Sequence, residues 1–290
     1  MRGIRGKLVE EIVYLNGSLL PLSQARLSPL DYGFLYGYGL FETMRAYSGR
    51  IFHLERHMAR LSRSAKLLEI DLKSDILDLE KALYDTLQAN NLSNARIRLT
   101  LSGGEGEPVP DLLPQNPTVI IVARRYTPYP RQVYEQGFKA IVSRIRRNTQ
   151  SPASVIKSLN YLDNLLARRE TRLAGADEAI LLNEQGFLAE GSMSNIFLVS
   201  DSTLLTPSED SGILPGITRE VILELAPSMD LKTIERKIAL KELLQADEAF
   251  FTNSLIEIMP LTQVNGQNIG SGRAGTVTQR LIAAYKELVE

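Results

Sequence analysis

The sequence predicts an α+β fold in two domains, and three observations carry that reading. Strand-like and helix-like runs occur in clusters, without the strict βαβ alternation of a parallel α/β sheet. The stretch "YTPYPRQVY" holds Pro128 and Pro130 and has no regular period, so it reads as a linker. The patterns on its two sides differ. They place a smaller N-terminal domain at 1–128, an interdomain linker at 129–136 and a larger C-terminal domain at 137–290. A chain of 290 residues has room for both.

The elements follow in order. "EIVYLNGSLL" is strand-like, and its Asn16-Gly17 pair is a strong hairpin-turn signal. "DYGFLYGYGLFETMRAYSGRIFHL" is glycine-rich and aromatic, with Ser48-Gly49 closing a second hairpin. Apolar residues three and four apart predict helices over 54–69 and 74–90. "NARIRLTLSGG" alternates as a half-exposed strand, whereas "TVIIVARRY" reads as a more fully buried one. Beyond the linker come the strand "FKAIVSRIR", a lysine-bearing turn with its helix, and two hairpins within "EAILLNEQGFLAEGSMSNIFLVSDSTLLT". "GITREVILELA" opens a further helix, and "TVTQRLIAAYKELV" forms a C-terminal one.

Composition removes much of the catalytic menu. With 33 basic and 34 acidic residues, charge argues against a nucleic-acid or membrane partner. No stretch approaches the ~20 apolar residues that span a bilayer. Glu10 and Glu11 interrupt the apolar run behind the basic N-terminus, so a cytoplasmic protein is expected. There is no cysteine, which excludes thiol nucleophiles, disulfides and thiolate metal sites. The only histidines, His53 and His57, lie one helical turn apart without an HExxH motif, which predicts a helix-surface or capping role and no metal. No GxSxG elbow supports a serine hydrolase. Chemistry must rest on lysine, carboxylates, hydroxyls, arginine or a cofactor.

Three stretches offer parts of one site. In "VIKSLNYLDNLLARRE", Leu159, Leu162, Leu165, Leu166 and Leu173 recur at helical spacing, predicting a helix whose leucines pack inward, with Gly175 as its stop. Lys157 stands just before that stripe, after the apolar Val155 and Ile156, where a cavity could make its amine a nucleophile. In "LAEGSMSNIFLV", Glu190 ends one strand and Asn195 begins the next. In "LLTPSEDSGILPGITRE", Pro215-Gly216 break the chain before a helix, leaving the N–H groups of Ile217 and Thr218 as an anion site. Taken singly, each is more often structural: a flanking surface lysine, a solvated strand-end charge, a simple N-cap.

Together they resemble the class IV, fold type IV pyridoxal-phosphate enzymes: branched-chain aminotransferases, D-amino-acid aminotransferases and aminodeoxychorismate lyases. The family signature is met in register by Glu190, Asn195, Ile196-Phe197, Leu204-Leu205-Thr206 and Leu214 to Arg219, with Lys157 upstream. "YGYGLFETMR", "HMARL" and "FFTNSLIEIMP" also match, so the resemblance covers nearly the whole chain. It implies a small N-terminal α/β domain and a larger C-terminal domain with a strand-rich, barrel-like core. It further implies that Lys157 holds pyridoxal 5'-phosphate as a Schiff base and that Glu190 pairs with the pyridine nitrogen. Arg60, Ile217, Thr218 and Ser254 would bind the phosphate, Leu204 would pack on the ring, Asn195 would belong to the cofactor site, and Tyr161 would bond the ring hydroxyl. In the family's branched-chain enzymes that tyrosine lies one residue further along. A homodimer with shared active sites is also implied.

The reaction depends on the substrate pocket. Tyr36, Phe41, Thr43, Arg45, Arg98, Leu255 and Ile256 align with substrate-lining positions of the branched-chain enzymes. Thr43 replaces their usual glycine, and Arg96 their usual tyrosine. "GFLYGYGLFETMR" and "NARIRL" also resemble aminodeoxychorismate lyases. The acidic "SGGEGEPVP", however, lacks both the lyase's arginine-glycine loop and the Arg-x-His carboxylate trap of D-amino-acid aminotransferases. The favoured reading is transfer of amino groups from branched-chain or hydrophobic L-amino acids to 2-oxoglutarate, with relaxed specificity extending to (R)-amines. The alternative is 4-amino-4-deoxychorismate lyase. A non-catalytic binding module would be marked by loss of Lys157 or Glu190, and both are present.

Overall fold

The computed structural model describes residues 10–72, 76–107, 109 and 116–290. The basic N-terminus up to Val9, the first residues expected in the second helix, and Pro108 and Pro110 of the acidic loop thus lie outside the described residues. The chain divides into two compact units, Met1–Tyr126 and Thr127–Glu290.

Unit 1 contains β1 (Ile12–Leu15), β2 (Ser18–Pro21), α1 (Tyr32–Tyr36), β3 (Gly39–Tyr47), β4 (Arg50–Ile51), α2 (Leu54–Leu67), α3 (Ile76–Ala89), β5 (Ala95–Ser102) and β6 (Thr118–Arg125). The strands pair antiparallel in the order β2-β1-β6-β5-β3-β4. Both predicted hairpins form, because Asn16, Gly17, Ser48 and Gly49 all take the positive φ that their two-residue turns demand. Helices α2 and α3 pack against one face of the sheet. That packing explains the alternation along β5, where Ala95, Ile97, Leu99 and Leu101 are buried while Arg96 and Arg98 point to the other face.

Unit 2 contains α4 (Arg131–Gln136), β7 (Phe138–Arg147), α5 (Leu162–Leu173), β8 (Glu178–Asn183), β9 (Leu188–Gly191), β10 (Asn195–Ser200), β11 (Thr203–Pro207), α6 (Ile217–Ser228), β12 (Lys232–Arg236), α7 (Leu240–Leu244), β13 (Glu248–Asn253), β14 (Glu257–Val264), β15 (Gln267–Asn268) and α8 (Thr276–Val289). Its strands run in the order β12-β11-β10-β13-β14-β7-β8-β9, with β15 on β14. The final strand, β9, packs back against β10 and β11, so the sheet curls into a barrel-like core. Ile196, Leu198 and Phe251 point into that core, whereas Phe197 and Phe250, on the other face of the sheet, stack with their ring centres 5.0 Å apart.

Two local expectations need correction. The stretch read as an irregular linker holds α4, which follows Pro130 and ends at Gly137 with φ +70. An added Cβ at Gly137 would come within 2.5 Å of Thr262, so glycine alone fits this close approach. The leucines of α5 do not pack inward: Leu162, Leu165 and Leu173 are 62%, 59% and 75% exposed, and the buried positions are Asn164, Ala167 and Thr171. Helix α5 lies on β7 and β8, and the side chains it buries there are these small ones.

Candidate active site

In unit 2 the Lys157 turn is built from the end of β7. A 3₁₀ turn, Pro152–Ser154, leads into the turn at Val155 to Lys157. Ile156 is buried and fixes that turn, while Lys157 is half-buried and close enough to Glu190 for its ammonium to pull on that carboxyl. The lysine therefore precedes α5 and is held by Ile156, not by the leucine face.

Glu190 is buried at the end of β9, which excludes a solvated strand-end charge. Its Oε1 lies 2.8 Å from Nη2 of Arg147. Its Oε2 accepts from the Leu214 N–H at 3.0 Å and from Asn195 Nδ2 at 3.4 Å. Burial pushes its carboxyl above the ordinary value; Arg147, the Leu214 N–H and Lys157 pull it back, and Glu178 adds to the push. Arg147 was not legible as a site residue, since basic residues crowd "SRIRRN" and nothing local distinguishes it. Glu178 was missed as well. It is buried behind the turn after Glu190, where it accepts hydrogen bonds from Ser192 and Ser194.

Asn195 joins Glu190 to the anion site, because Nδ2 also donates to the Leu214 carbonyl at 2.9 Å. Helix α6 starts at Ile217 with Gly216 as its N-cap and no side-chain cap. Ile217 and Thr218 are buried, and the bond closing the first turn runs from the Glu220 N–H to the Gly216 carbonyl. The N–H groups of Ile217 and Thr218 are thus helix-terminal donors suited to an anion. A Cβ on Gly216 would sit 2.0 Å from Asn195 Oδ1, a side chain pinned on both sides. Gly216→Ala is therefore expected to cost about 1–3 kcal/mol and to weaken phosphate-ligand affinity about tenfold. Thermal melting and titration with a phosphate-bearing ligand would check both.

The remaining expected residues of unit 2 lie nearby in the fold or within its core. Tyr161 is the N-cap residue of α5, and its OH donates to the Ser192 carbonyl at 3.3 Å. Leu204 is buried on β11. Ser254, Leu255 and Ile256 form the turn between β13 and β14. There Asn253 Oδ1 accepts from the N–H groups of Leu255 and Ile256, both at 2.9 Å, and the Ile256 side chain packs into the core.

In unit 1, Phe41, Thr43 and Arg45 on β3 stand opposite Thr100, Arg98 and Arg96 on β5, so all share one sheet face. The Arg98 guanidinium lies 3.8 Å from the Phe41 ring centre, and its Nε donates to Thr100 Oγ1 at 3.2 Å. Arg45 is buried between the rings of Tyr47 and Tyr126, at 4.3 and 4.8 Å. Tyr36, on α1, meets Tyr32 edge-on.

His53 is the N-cap residue of α2, as expected, but the opposite face holds a cluster that corrects the reading of His57. His57 is neither surface nor cap: it is buried, with Nδ1 2.7 Å from Glu42 Oε2. Arg60 donates Nε and Nη2 to the two oxygens of Glu42, at 2.8 and 2.6 Å. Among the described residues no cluster suits a metal ion. Burial pushes the Glu42 carboxyl up, but Arg60 and His57 outweigh it and bring it from 4.5 to about 2. A depressed carboxylate stabilises the fold above its unfolded value. That contribution, on the order of 3 kcal/mol, is expected to disappear as pH falls from about 4.5 through 2. Urea unfolding across that range would show it, and Glu42→Gln would lose this part of the slope.

Comparison with known proteins gives the class. The family model described as amino-transferase class IV matches residues 39–264. The chain belongs to the class IV aminotransferases. The aminodeoxychorismate lyase of Bacillus subtilis is 37% identical over 96% of this chain and 95% of its own. The branched-chain amino acid aminotransferase of Escherichia coli superposes with a TM-score of 0.92 at 33% identity, covering 97% of this chain and 95% of that one. The branched-chain aminotransferase of the thermophilic archaeon Thermoproteus uzoniensis, solved with norvaline, gives 0.90 at 34%, covering 97% and 95%. These similarities span both units of this class IV chain and place it in the two-domain fold type IV.

Proposed function

We propose that this chain moves the amino group of branched-chain and other hydrophobic L-amino acids to 2-oxoglutarate, using pyridoxal 5'-phosphate. One constellation carries the reading. Lys157 is electrostatically coupled to the buried Glu190, and Asn195 and Leu214 tie Glu190 to the uncapped start of α6. These residues fit the cofactor's three demands of an amine, an acid-base partner for a ring nitrogen and donors for a phosphate.

Bound there, the cofactor supplies an electron sink for the bond broken at the substrate Cα. The chain supplies the rest. Nζ of Lys157 would hold the cofactor and remove the Cα proton. The Glu190 carboxylate keeps the ring nitrogen protonated. In unit 2, Ile217, Thr218 and Ser254 would donate to the phosphate; in unit 1, Arg60 is assigned to the same task by the family pattern, its charge being balanced by Glu42. Leu204 packs on the ring, Asn195 braces Glu190, and Tyr161 bonds the ring hydroxyl. In unit 1 the face bearing Phe41, Thr43, Arg45 and Arg98, with Tyr36, would serve the substrate, and in unit 2 the turn at Leu255 and Ile256 would do so. The threonine at 43 and arginine at 96 support relaxed specificity that includes (R)-amines.

A lyase reading has its own support. Arg96 is exposed on the same face as Arg98, and two cations suit a chorismate-derived anion better than leucine. The test is direct. The purified protein should be yellow and, after borohydride, carry the cofactor on Lys157. L-Leucine should then convert its visible band to the amine form, whereas pyruvate release from aminodeoxychorismate would favour the lyase. A colourless protein that takes up no pyridoxal phosphate overturns both. We also read the chain as a cytoplasmic homodimer with shared sites. The exposed leucines of α5 support self-association, and no described helix is long and apolar enough to cross a membrane. Light scattering should return twice the chain mass.

A further inference from the structure

Arg147 stands at the end of β7, and its side chain is only 12% exposed. Three segments converge on its guanidinium. Nη2 meets Glu190 Oε1 at 2.8 Å and donates to the Ser154 carbonyl at 2.8 Å, while Nε donates to the Gly212 carbonyl at 3.2 Å. Ser154 closes the 3₁₀ turn that leads to Lys157, its Oγ donating to the Asn148 carbonyl at 2.7 Å. Gly212 opens the loop that reaches Leu214, whose N–H donates to the other oxygen of Glu190, and then Gly216. Arg147, Glu190, Leu214 and Gly212 thus form a closed ring of contacts, with the lysine turn attached at Ser154.

We propose that Arg147 is a positioning residue, which holds Glu190, the Lys157 turn and the loop to α6 in register and sets a positive charge against the Glu190 carboxylate. The proposal rests on the pyridoxal phosphate reading above. A guanidinium suits the task because its planar fork reaches several acceptors at once, whereas an ammonium is a single point charge. The charge has a separate consequence. Burial raises the proton affinity of Glu190, and Arg147 is the strongest opposing influence. Without it the carboxyl keeps a shared proton for itself, and the ring nitrogen loses it.

Two variants separate the tie from the charge. Arg147→Lys keeps the charge and loses the fork; Arg147→Met loses both. In the Lys variant, pyridoxal phosphate affinity of the apo-protein should fall about fivefold or more, while the pH midpoint of the visible band stays within about 0.3 unit of the parent. In the Met variant, affinity should fall about tenfold or more and the midpoint should rise by about one unit. Thermal melting of both apo-proteins records folding separately. Parent-like affinity and midpoint in a folded Met variant would overturn the proposal. Should the Met variant not fold, the Lys variant decides alone, and unchanged affinity there overturns it. A parent protein that takes up no pyridoxal phosphate sinks the functional reading itself, which is a different outcome from variants that load like the parent.

Discussion

Replacing Lys157 by alanine is expected to lower kcat by about four orders of magnitude, because in the proposed reaction one amine would both hold the cofactor and move the substrate proton. The fold should survive. Lys157 is half-buried in a turn whose position is set by the buried Ile156 and by the bond from Arg147 to the Ser154 carbonyl. Thermal melting within a few degrees of the parent would confirm that the loss is chemical. Mass spectrometry after borohydride gives a second readout: the parent gains the cofactor mass on the peptide carrying residue 157, and the variant gains nothing there. Activity within tenfold of the parent would remove Lys157 from the chemistry.

What was legible in the sequence is what chemistry concentrates in short stretches. The turn after Glu190 and the helix entry at Ile217 need a local backbone shape that Gly191 and Pro215-Gly216 mark, whereas Lys157 stood out only by its place between an apolar pair and a helix. The hairpins at Asn16-Gly17 and Ser48-Gly49 were readable for the same reason. Residues that act through distant partners left no such mark. Arg147 has meaning only once β7 lies beside β8 and brings its guanidinium to Glu190. His57 reads as a helix-surface residue until β3 places Glu42 beneath α2. The leucines of α5 misled because periodicity shows that a helix has two unlike faces and not which face is buried. The small residues Ala167 and Thr171 take the close contact with the sheet, a preference set by spacing between elements and invisible within one.

Changing Glu190 to glutamine should lower kcat by about three orders of magnitude while moving KM for the amino acid by less than about threefold. The split follows from where the carboxylate acts. In the proposed reaction its charge would stabilise a protonated ring nitrogen, which matters most when electrons flow into the ring, and it would act on the cofactor and not on the amino acid. The substitution preserves shape, and an amide oxygen can still accept from the Leu214 N–H. It leaves Arg147 without its counter-charge in a nearly buried position, so the variant should also be less stable than the parent, by about 3 kcal/mol. Arg147→Met in the same chain removes that orphaned cation and should restore much of the stability without restoring kcat. Recovery of both together would mean that Glu190 serves only as a structural partner for Arg147. Recovery of stability alone separates the carboxylate's chemical work from its place in the fold.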